Sequence, residues 1–169
     1  LTQHSYFNLA GSGTILEHEL EIRASRYVVV DDELLPTGEL ASVAGTPFDF
    51  RARRAIGARI GELSDSPAGG YDVCYALDVP AVPPVPPLPP DPTELLQMFP
   101  PFVTAARLRD PLSGRTLEVL ADGPGLQLYT GNRLGGVRGK KGVVHPRFGG
   151  LCLETQRFPD AVHHAHFPS

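Results

Sequence analysis

Two side chains in this sequence are suited to moving protons: His4, near the first residue, and Glu154, near the last. Imidazole changes charge close to neutral pH, which suits histidine to acid–base catalysis. Glu154 lies in an apolar run, where burial would raise the pKa of its carboxyl group towards neutrality, as a general base requires. A structural interpretation stays open for both, because a histidine in a strand is more often structural and Glu154 could pair with Arg157.

The residues around His4 strengthen its candidacy. Residues 1–9 predict a half-buried strand in which His4, Tyr6 and Asn8 have the same parity. Alternate residues of a strand project from one face, so these three polar-tipped side chains would lie along the same surface.

Three more polar residues lie where predicted strands meet loops. Asp72 follows a Gly-Gly-Tyr run and precedes a strand, a placement that turn chemistry alone explains. Gln127 and Asn132 flank a Leu-Tyr-Thr-Gly stretch. Their amides could either hydrogen-bond a polyhydroxylated ligand or cap a loop.

Metal and disulfide chemistry find less support in the sequence. Cys74 and Cys152 are the only cysteines and stand in strand-like apolar runs, so we predict buried free thiols. His163, His164 and His166 lie close together but without supporting cysteine or carboxylate spacing, which favours surface histidines over a metal site.

Short strands separated by turns must position these residues. The alternation of charged and apolar residues over 16–24 predicts a half-buried antiparallel strand. Further strands are predicted at 26–30, 73–79, 102–109, 116–121, 126–130 and 151–155, with a hairpin loop at 110–114. Many short strands and little helix indicate an all-β sandwich or barrel built from antiparallel sheets.

Two local features interrupt this pattern. Ile56, Ile60 and Leu63 follow an i, i+4, i+7 spacing that predicts one short helix over 53–63, although two glycines weaken it. The stretch Leu-Pro-Thr-Gly at 35–38 predicts a turn.

Composition bounds the function classes. A chain of 169 residues is long enough for one domain with a hydrophobic core. Its net charge of −4 argues against a nucleic-acid surface, which should be basic, and no apolar run is long enough to predict a membrane span. Reduced thiols fit a cytoplasmic location.

A proline-rich run occupies Pro80–Pro92. Such a segment cannot supply the N–H donors of a sheet and favours polyproline II or disorder. It could be a ligand for an SH3-type domain, but a tolerated loop insertion between strands is the interpretation we favour.

Several segments together resemble the galactose mutarotase (aldose 1-epimerase) family. They occur in the order of the family and span nearly the whole chain. The segments are LTQHSYFNLAG at 1–11, LPTGE at 35–39, GYD at 70–72, PGLQLYTGN at 124–132 and LETQRFPDA at 153–161.

The resemblance implies a galactose-mutarotase-like β-supersandwich, of which residues 1–169 would form a single partial domain with an insertion at 80–92. It also implies an isomerase of carbohydrate metabolism. Such an enzyme interconverts the α and β anomers of free aldohexoses, galactose and glucose especially, without cofactor or metal. The chain would correspond to roughly the C-terminal half of such an enzyme, whose other half contributes an Arg and a second His.

By the pattern of the family, Glu154 would be the general base and His4 the general acid on the opposite side of the sugar, while Asp72 and Gln127 would bind sugar hydroxyls. Two alternatives stay open. The chain could be a truncated mutarotase without activity that still binds carbohydrate, or an interaction module that uses the proline-rich segment.

Overall fold

The structure, a computed structural model, describes residues 2–78 and 102–168. The proline-rich run Pro80–Pro92 lies outside these residues. The part of the chain described contains nine β-strands. They are β1 (Glu19–Ile22), β2 (Arg26–Val30), β3 (Pro36–Ser42), β4 (Arg54–Ala55), β5 (Asp72–Ala76), β6 (Val103–Arg109), β7 (Thr116–Ala121), β8 (Gly125–Tyr129) and β9 (Cys152–Gln156). Short 3₁₀ helices occupy Ile56–Ala58, Ile60–Leu63, Lys140–Gly142 and Ala161–His163.

The strands form two sheets. One has four strands in the order β4-β1-β6-β7, and the other has five in the order β3-β2-β5-β8-β9. Every strand pair is antiparallel. The all-β, antiparallel architecture predicted from the sequence is therefore confirmed.

The hydrophobic core contains residues from both sheets. Leu20 and Ile22 of β1 are buried, whereas Glu19 and Glu21, of opposite parity, are only half-buried. These carboxylates pair with arginines, and the Glu19–Arg109 nitrogen–oxygen distance is 3.5 Å. The alternation predicted for this strand is confirmed, although β1 is shorter than the predicted segment.

The predicted β6–β7 hairpin is also confirmed. Its loop is closed by Asp110, whose backbone oxygen accepts the N–H of Gly114 at 2.9 Å and whose carboxylate accepts the N–H of Ser113 at 2.9 Å. The carboxylate also accepts the N–H of Leu112, and an aspartate that bonds backbone groups two and three residues ahead stabilises such a turn.

The predicted turn at 35–38 is wrong, because Pro36 begins β3 and the strand continues through Gly38. β3 is an edge strand, where a proline at the first position removes no needed donor. The chain turns earlier, where the carboxylate of Asp31 accepts the N–H groups of Glu33 and Leu35.

The predicted helix over 53–63 is wrong as well. That segment contains the short strand β4 and two 3₁₀ turns. The N–H of Gly57 bonds the oxygen of Leu16 at 2.7 Å rather than a carbonyl of its own turn. Ile56 and Leu63 are buried nonetheless, so the apolar spacing identified core residues but not the conformation.

The opening segment is not a strand. Within residues 2–9, regular pairing is limited to an isolated bridge between Phe7 and Leu151, with N–O distances of 2.8 and 2.9 Å. Among the residues that the structure describes, no helix has the length and apolar character needed to cross a membrane.

Candidate active site

One face of the five-stranded sheet collects most of the polar residues singled out in the sequence. In an antiparallel sheet, directly paired residues project to the same side. Across β5, β8 and β9 the pairing aligns two such rows, Cys74–Gln127–Glu154 and Asp72–Tyr129–Cys152.

Residues of opposite parity in the same strands belong to the hydrophobic core. Val73, Leu128 and Leu153 are buried there. At one end of the polar face Phe158 and Phe167 cover Cys74. A cavity of about 570 Å³ lies over this face. A sheet with one face on the core and one face towards this cavity therefore positions the site.

The segment that carries His4 runs beside β9, the edge strand of the sheet. The side-chain amide of Gln3 donates to the backbone oxygen of Leu153 at 2.7 Å, and the hydroxyl of Thr2 donates to that of Thr155 at 3.0 Å. Together with the Phe7 bridge, these contacts hold His4 over the sheet without a strand ladder.

His4 and Glu154 are neighbours in the cavity. The distance from Nε2 of His4 to Oε1 of Glu154 is 3.7 Å, and the side chains are 56% and 8% exposed. The other imidazole nitrogen, Nδ1, lies 3.3 Å from Sγ of Cys152. Arg157, the alternative partner of Glu154, is exposed.

This spacing differs from the sequence-based expectation of an acid and a base on opposite sides of a sugar. A gap of 3.7 Å between the two groups leaves no room for a sugar ring. In this structure His4 and Glu154 therefore lie next to each other rather than on two sides of a ligand.

Burial is the main cause that raises the pKa of the Glu154 carboxyl group above its usual range. The imidazole of His4 opposes the rise, and the carboxylate of Asp72 adds to it. The direction agrees with the one predicted from the apolar run around Glu154.

Asp72 and Gln127 form a second polar pair in the same cavity. Nε2 of Gln127 donates to Oδ1 of Asp72 at 2.7 Å. Burial raises the pKa of the Asp72 carboxyl group, while the hydrogen bond from Gln127 and the charges of Arg133 and His4 lower it. The pair presents one fixed carboxylate and one fixed amide to the cavity.

Sequence reasoning did not identify Tyr129 and Arg133 as cavity residues. The hydroxyl of Tyr129 accepts the backbone N–H of Arg133 at 3.2 Å, and the rings of Tyr129 and Tyr6 meet edge to face at 6.2 Å. Parity could have identified Tyr129, which stands two positions after Gln127 in β8. No comparable signal marked Arg133, which lies beyond the strand.

Two other candidates serve loops instead. The amide of Asn132 is buried and donates to the oxygen of Tyr71 at 3.0 Å, and its oxygen accepts the Thr130 hydroxyl at 2.6 Å. The amide of Asn8 donates to the oxygen of Gly149 at 3.0 Å. Of the two alternatives for Asn132, loop capping is thus the one observed.

The thiols fit the sequence-based interpretation, and so do the exposed His163 and His166, whereas His164 is half-buried. Cys74 and Cys152 are buried and free. His163 and His164 both pair with Asp160, whereas Nε2 of His166 lies 2.8 Å from the backbone oxygen of Gly38. A closely spaced set of possible metal ligands, identified among residues 2–78 and 102–168, is instead His4, Cys152 and Glu154.

The sequence model that describes aldose 1-epimerase matches residues 1–169. The chain belongs to the aldose 1-epimerase family. It is 42% identical to galactose mutarotase of Mus musculus over 171 aligned residues, and 31% identical to aldose 1-epimerase of Escherichia coli strain K12 over 170. Each alignment covers 99% of this chain and 44% of the relative.

Solved structures of the family agree. The fold superposes on a crystal structure of an aldose epimerase homologue from C. elegans with a TM-score of 0.78 and 29% identity, covering 99% of this chain and 45% of that one. Galactose 1-epimerase from Lactobacillus acidophilus gives a TM-score of 0.67 and 27% identity over 92% of this chain and 39% of that one. The chain therefore has the galactose-mutarotase-like fold and spans less than half the length of these relatives.

Proposed function

We propose that this chain carries the proton-transfer pair of an aldose 1-epimerase, an isomerase that interconverts the α and β anomers of free aldohexoses such as galactose and glucose. The observation that carries the proposal is the His4–Glu154 pair, 3.7 Å apart in a cavity that also contains the Asp72–Gln127 pair. The names of the relatives support the same activity.

The reaction needs two proton transfers, one at each of the two oxygens bonded to C1. A base removes the proton of the C1 hydroxyl while an acid protonates the ring oxygen, and the ring opens to the free aldehyde. Rotation about the C1–C2 bond, followed by the reverse transfers, closes the ring on the other face. The C1 hydroxyl oxygen and the ring oxygen are both bonded to C1, so neighbouring acid and base groups can reach them.

Glu154 is our candidate for the base. A carboxyl group whose pKa is raised by burial is a stronger base than an exposed one, and the raised pKa brings it closer to the working pH. His4 is our candidate for the acid, because its exposed ring can follow the sugar. Each group typically contributes about 10²–10⁴ in rate.

Asp72 and Gln127 are our candidates for binding the sugar. A carboxylate accepts hydrogen bonds from hydroxyl groups, and an amide both donates and accepts them. Their mutual bond at 2.7 Å fixes both side chains before a sugar arrives. The reaction so described uses only side chains of the protein and requires no cofactor.

The test is polarimetry on freshly dissolved α-D-galactose with the purified chain. We expect the optical rotation to reach equilibrium faster than it does spontaneously. If galactose binds but the spontaneous rate is unchanged, the chain is a carbohydrate-binding protein without activity, and the catalytic proposal fails for it. Tritiated galactose in equilibrium dialysis measures the binding.

A cytoplasmic location and a role in carbohydrate metabolism belong to the same proposal. The two buried free thiols support a reducing compartment. Cell fractionation with an antibody against the chain tests the location. The SH3-type partner of Pro80–Pro92 stays a prediction, and its test is binding to an SH3 panel before and after deletion of that run.

A further inference from the structure

The surroundings of His4 contain a third side chain that the proposed reaction does not use. Cys152 lies in β9 two residues before Glu154, and both side chains project from the same face of the sheet. One ligand atom from each of His4, Cys152 and Glu154 lies within 4.8 Å of the other two. We infer that these three residues form a binding site for a borderline-soft divalent cation of the Zn²⁺ class.

Two of the three ligand atoms already have nearly the spacing of tetrahedral coordination. With a metal–sulfur bond of about 2.3 Å and a metal–nitrogen bond of about 2.1 Å, the two ligand atoms stand about 3.5 Å apart. Nδ1 of His4 and Sγ of Cys152 are 3.3 Å apart. The carboxylate of Glu154 faces the other ring nitrogen, Nε2, at 3.7 Å, so rotation of the exposed His4 ring and of the Glu154 side chain must bring a carboxylate oxygen nearer to Nδ1.

The three ligands differ in how firmly they are held. Cys152 and Glu154 are buried on a paired strand, so the ladder fixes their backbone, while the Glu154 side chain can still rotate. His4 is exposed and lies on an irregular segment, so its ring can adjust to the cation. The cavity on the open side leaves the fourth position to water or a sugar hydroxyl, the arrangement of three protein ligands plus one open position.

The chemistry of the donors selects the cation. Thiolate and imidazole ligands favour Zn²⁺ and its spectroscopic substitute Co²⁺, whereas Mg²⁺ prefers oxygen ligands. Burial raises the pKa of the Cys152 thiol to about 12. A coordinating cation deprotonates a thiol outright, so a metal–sulfur bond replaces the S–H bond and one proton passes to the solvent.

Binding itself does not depend on the proposed function, but its consequence does. A cation on Glu154 would occupy the carboxylate lone pair that has to accept the proton of the C1 hydroxyl. Zn²⁺ should therefore inhibit an active mutarotase, and a chelator should restore it. A chain that binds Co²⁺ but has no mutarotase activity would contradict the proposed function and leave the metal site intact.

The experiment is titration of the purified, reduced chain with Co²⁺. We expect a thiolate-to-cobalt charge-transfer absorption band that Zn²⁺ removes by competition and Mg²⁺ does not. Cys152→Ser should abolish the band. Cys74→Ser is the matched control, because that thiol is equally buried on the same face and its side-chain contact is the amide of Gln156. It should keep the band.

A second variant guards against misfolding of Cys152→Ser. His4→Ala changes an exposed side chain and should weaken Co²⁺ binding by at least about tenfold, since even the loss of residues that only support metal ligands costs about 10- to 100-fold. The inference is wrong if the wild-type chain shows no band, if Cys152→Ser keeps it, or if His4→Ala binds Co²⁺ unchanged.

Discussion

The proposed base and the proposed acid are held in opposite ways. Glu154 belongs to β9, whose backbone pairs with β8 along its whole length and whose reverse face packs in the core. His4 belongs to an irregular segment fastened to the same strand by side chains and one isolated bridge. One group is therefore rigid and buried, and the other is adjustable and exposed.

This difference in burial suits each side chain to its proposed role. Burial on a ladder raises the pKa of Glu154, which a base needs, but it costs stability because the ionised form is poorly solvated. Exposure lets the His4 ring move with a substrate, but it leaves the position of the ring less well defined. Substitutions in the two regions should separate these effects.

The largest effect is expected from Glu154→Gln. The amide keeps the shape of the side chain but cannot accept the proton, so we expect kcat to fall by about 10²–10⁴-fold in polarimetry. The same variant should have a higher melting temperature at neutral pH. In the wild-type chain the pKa of Glu154 is higher in the folded state than in the unfolded state. The stability that the protonated carboxyl group contributes is therefore lost as the pH rises through the folded-state pKa, and a glutamine, which does not ionise, avoids that loss.

His4→Gln provides the comparison. It should lower kcat over a similar range without raising the melting temperature, because its side chain is 56% exposed. Full activity of Glu154→Gln would show that another group is the base. Equal melting shifts in the two variants would show that burial does not distinguish the regions.

The next largest effect is on the free energy of unfolding and comes from a substitution in β9. Leu153 adjoins Glu154 but faces the core, and it is 1% exposed. Leu153→Ala should lower the free energy of unfolding by about 2–5 kcal/mol, because it removes buried methyl groups and leaves a cavity. Leu112→Ala, at a side chain that is 94% exposed, should change it little in the same urea titration.

Much of the strand structure around the site could be predicted from the sequence, because strands are indicated by alternating or continuous apolar residues. The parity of 16–24 identified the two faces of β1, and the apolar run around Glu154 identified the strand β9; the structure confirms both. The turn predicted at 35–38 is wrong because a proline in a turn and a proline at the first residue of an edge strand, as Pro36 is, look alike in sequence. Whether a proline stands at an edge depends on sheet order, which local patterns do not contain.

The conformation of the opening segment, which carries His4, was harder to predict. The alternation of His4, Tyr6 and Asn8 suggested a strand, yet long-range contacts to β9 decide the conformation there. The pairing of His4 with Cys152 joins residues from opposite ends of the chain, and no local pattern indicates it. Arg133 was missed for the same reason.

A smaller effect should come from loosening the segment. Gln3→Ala removes the bond to Leu153 and the one that its side-chain oxygen accepts from the N–H of Ser5 at 2.8 Å. We expect kcat to fall about 5- to 10-fold, the equivalent of about 1 kcal/mol, while the urea midpoint hardly changes. Thr2→Val, which removes a more exposed bond to the same strand, should cost less. Equal losses would show that the anchors are interchangeable.

The smallest effect concerns the charges around Glu154 and can be measured without activity. His4 lowers the pKa of this carboxyl group and Asp72 raises it, while burial acts more strongly than either. NMR titration of the Glu154 carboxyl carbon should therefore show a higher pKa in His4→Gln and a lower one in Asp72→Asn. Asp65→Asn, outside the cavity, should leave it unchanged. Shifts of the same sign in the first two variants would mean that movement of the opening segment, rather than charge, controls the base.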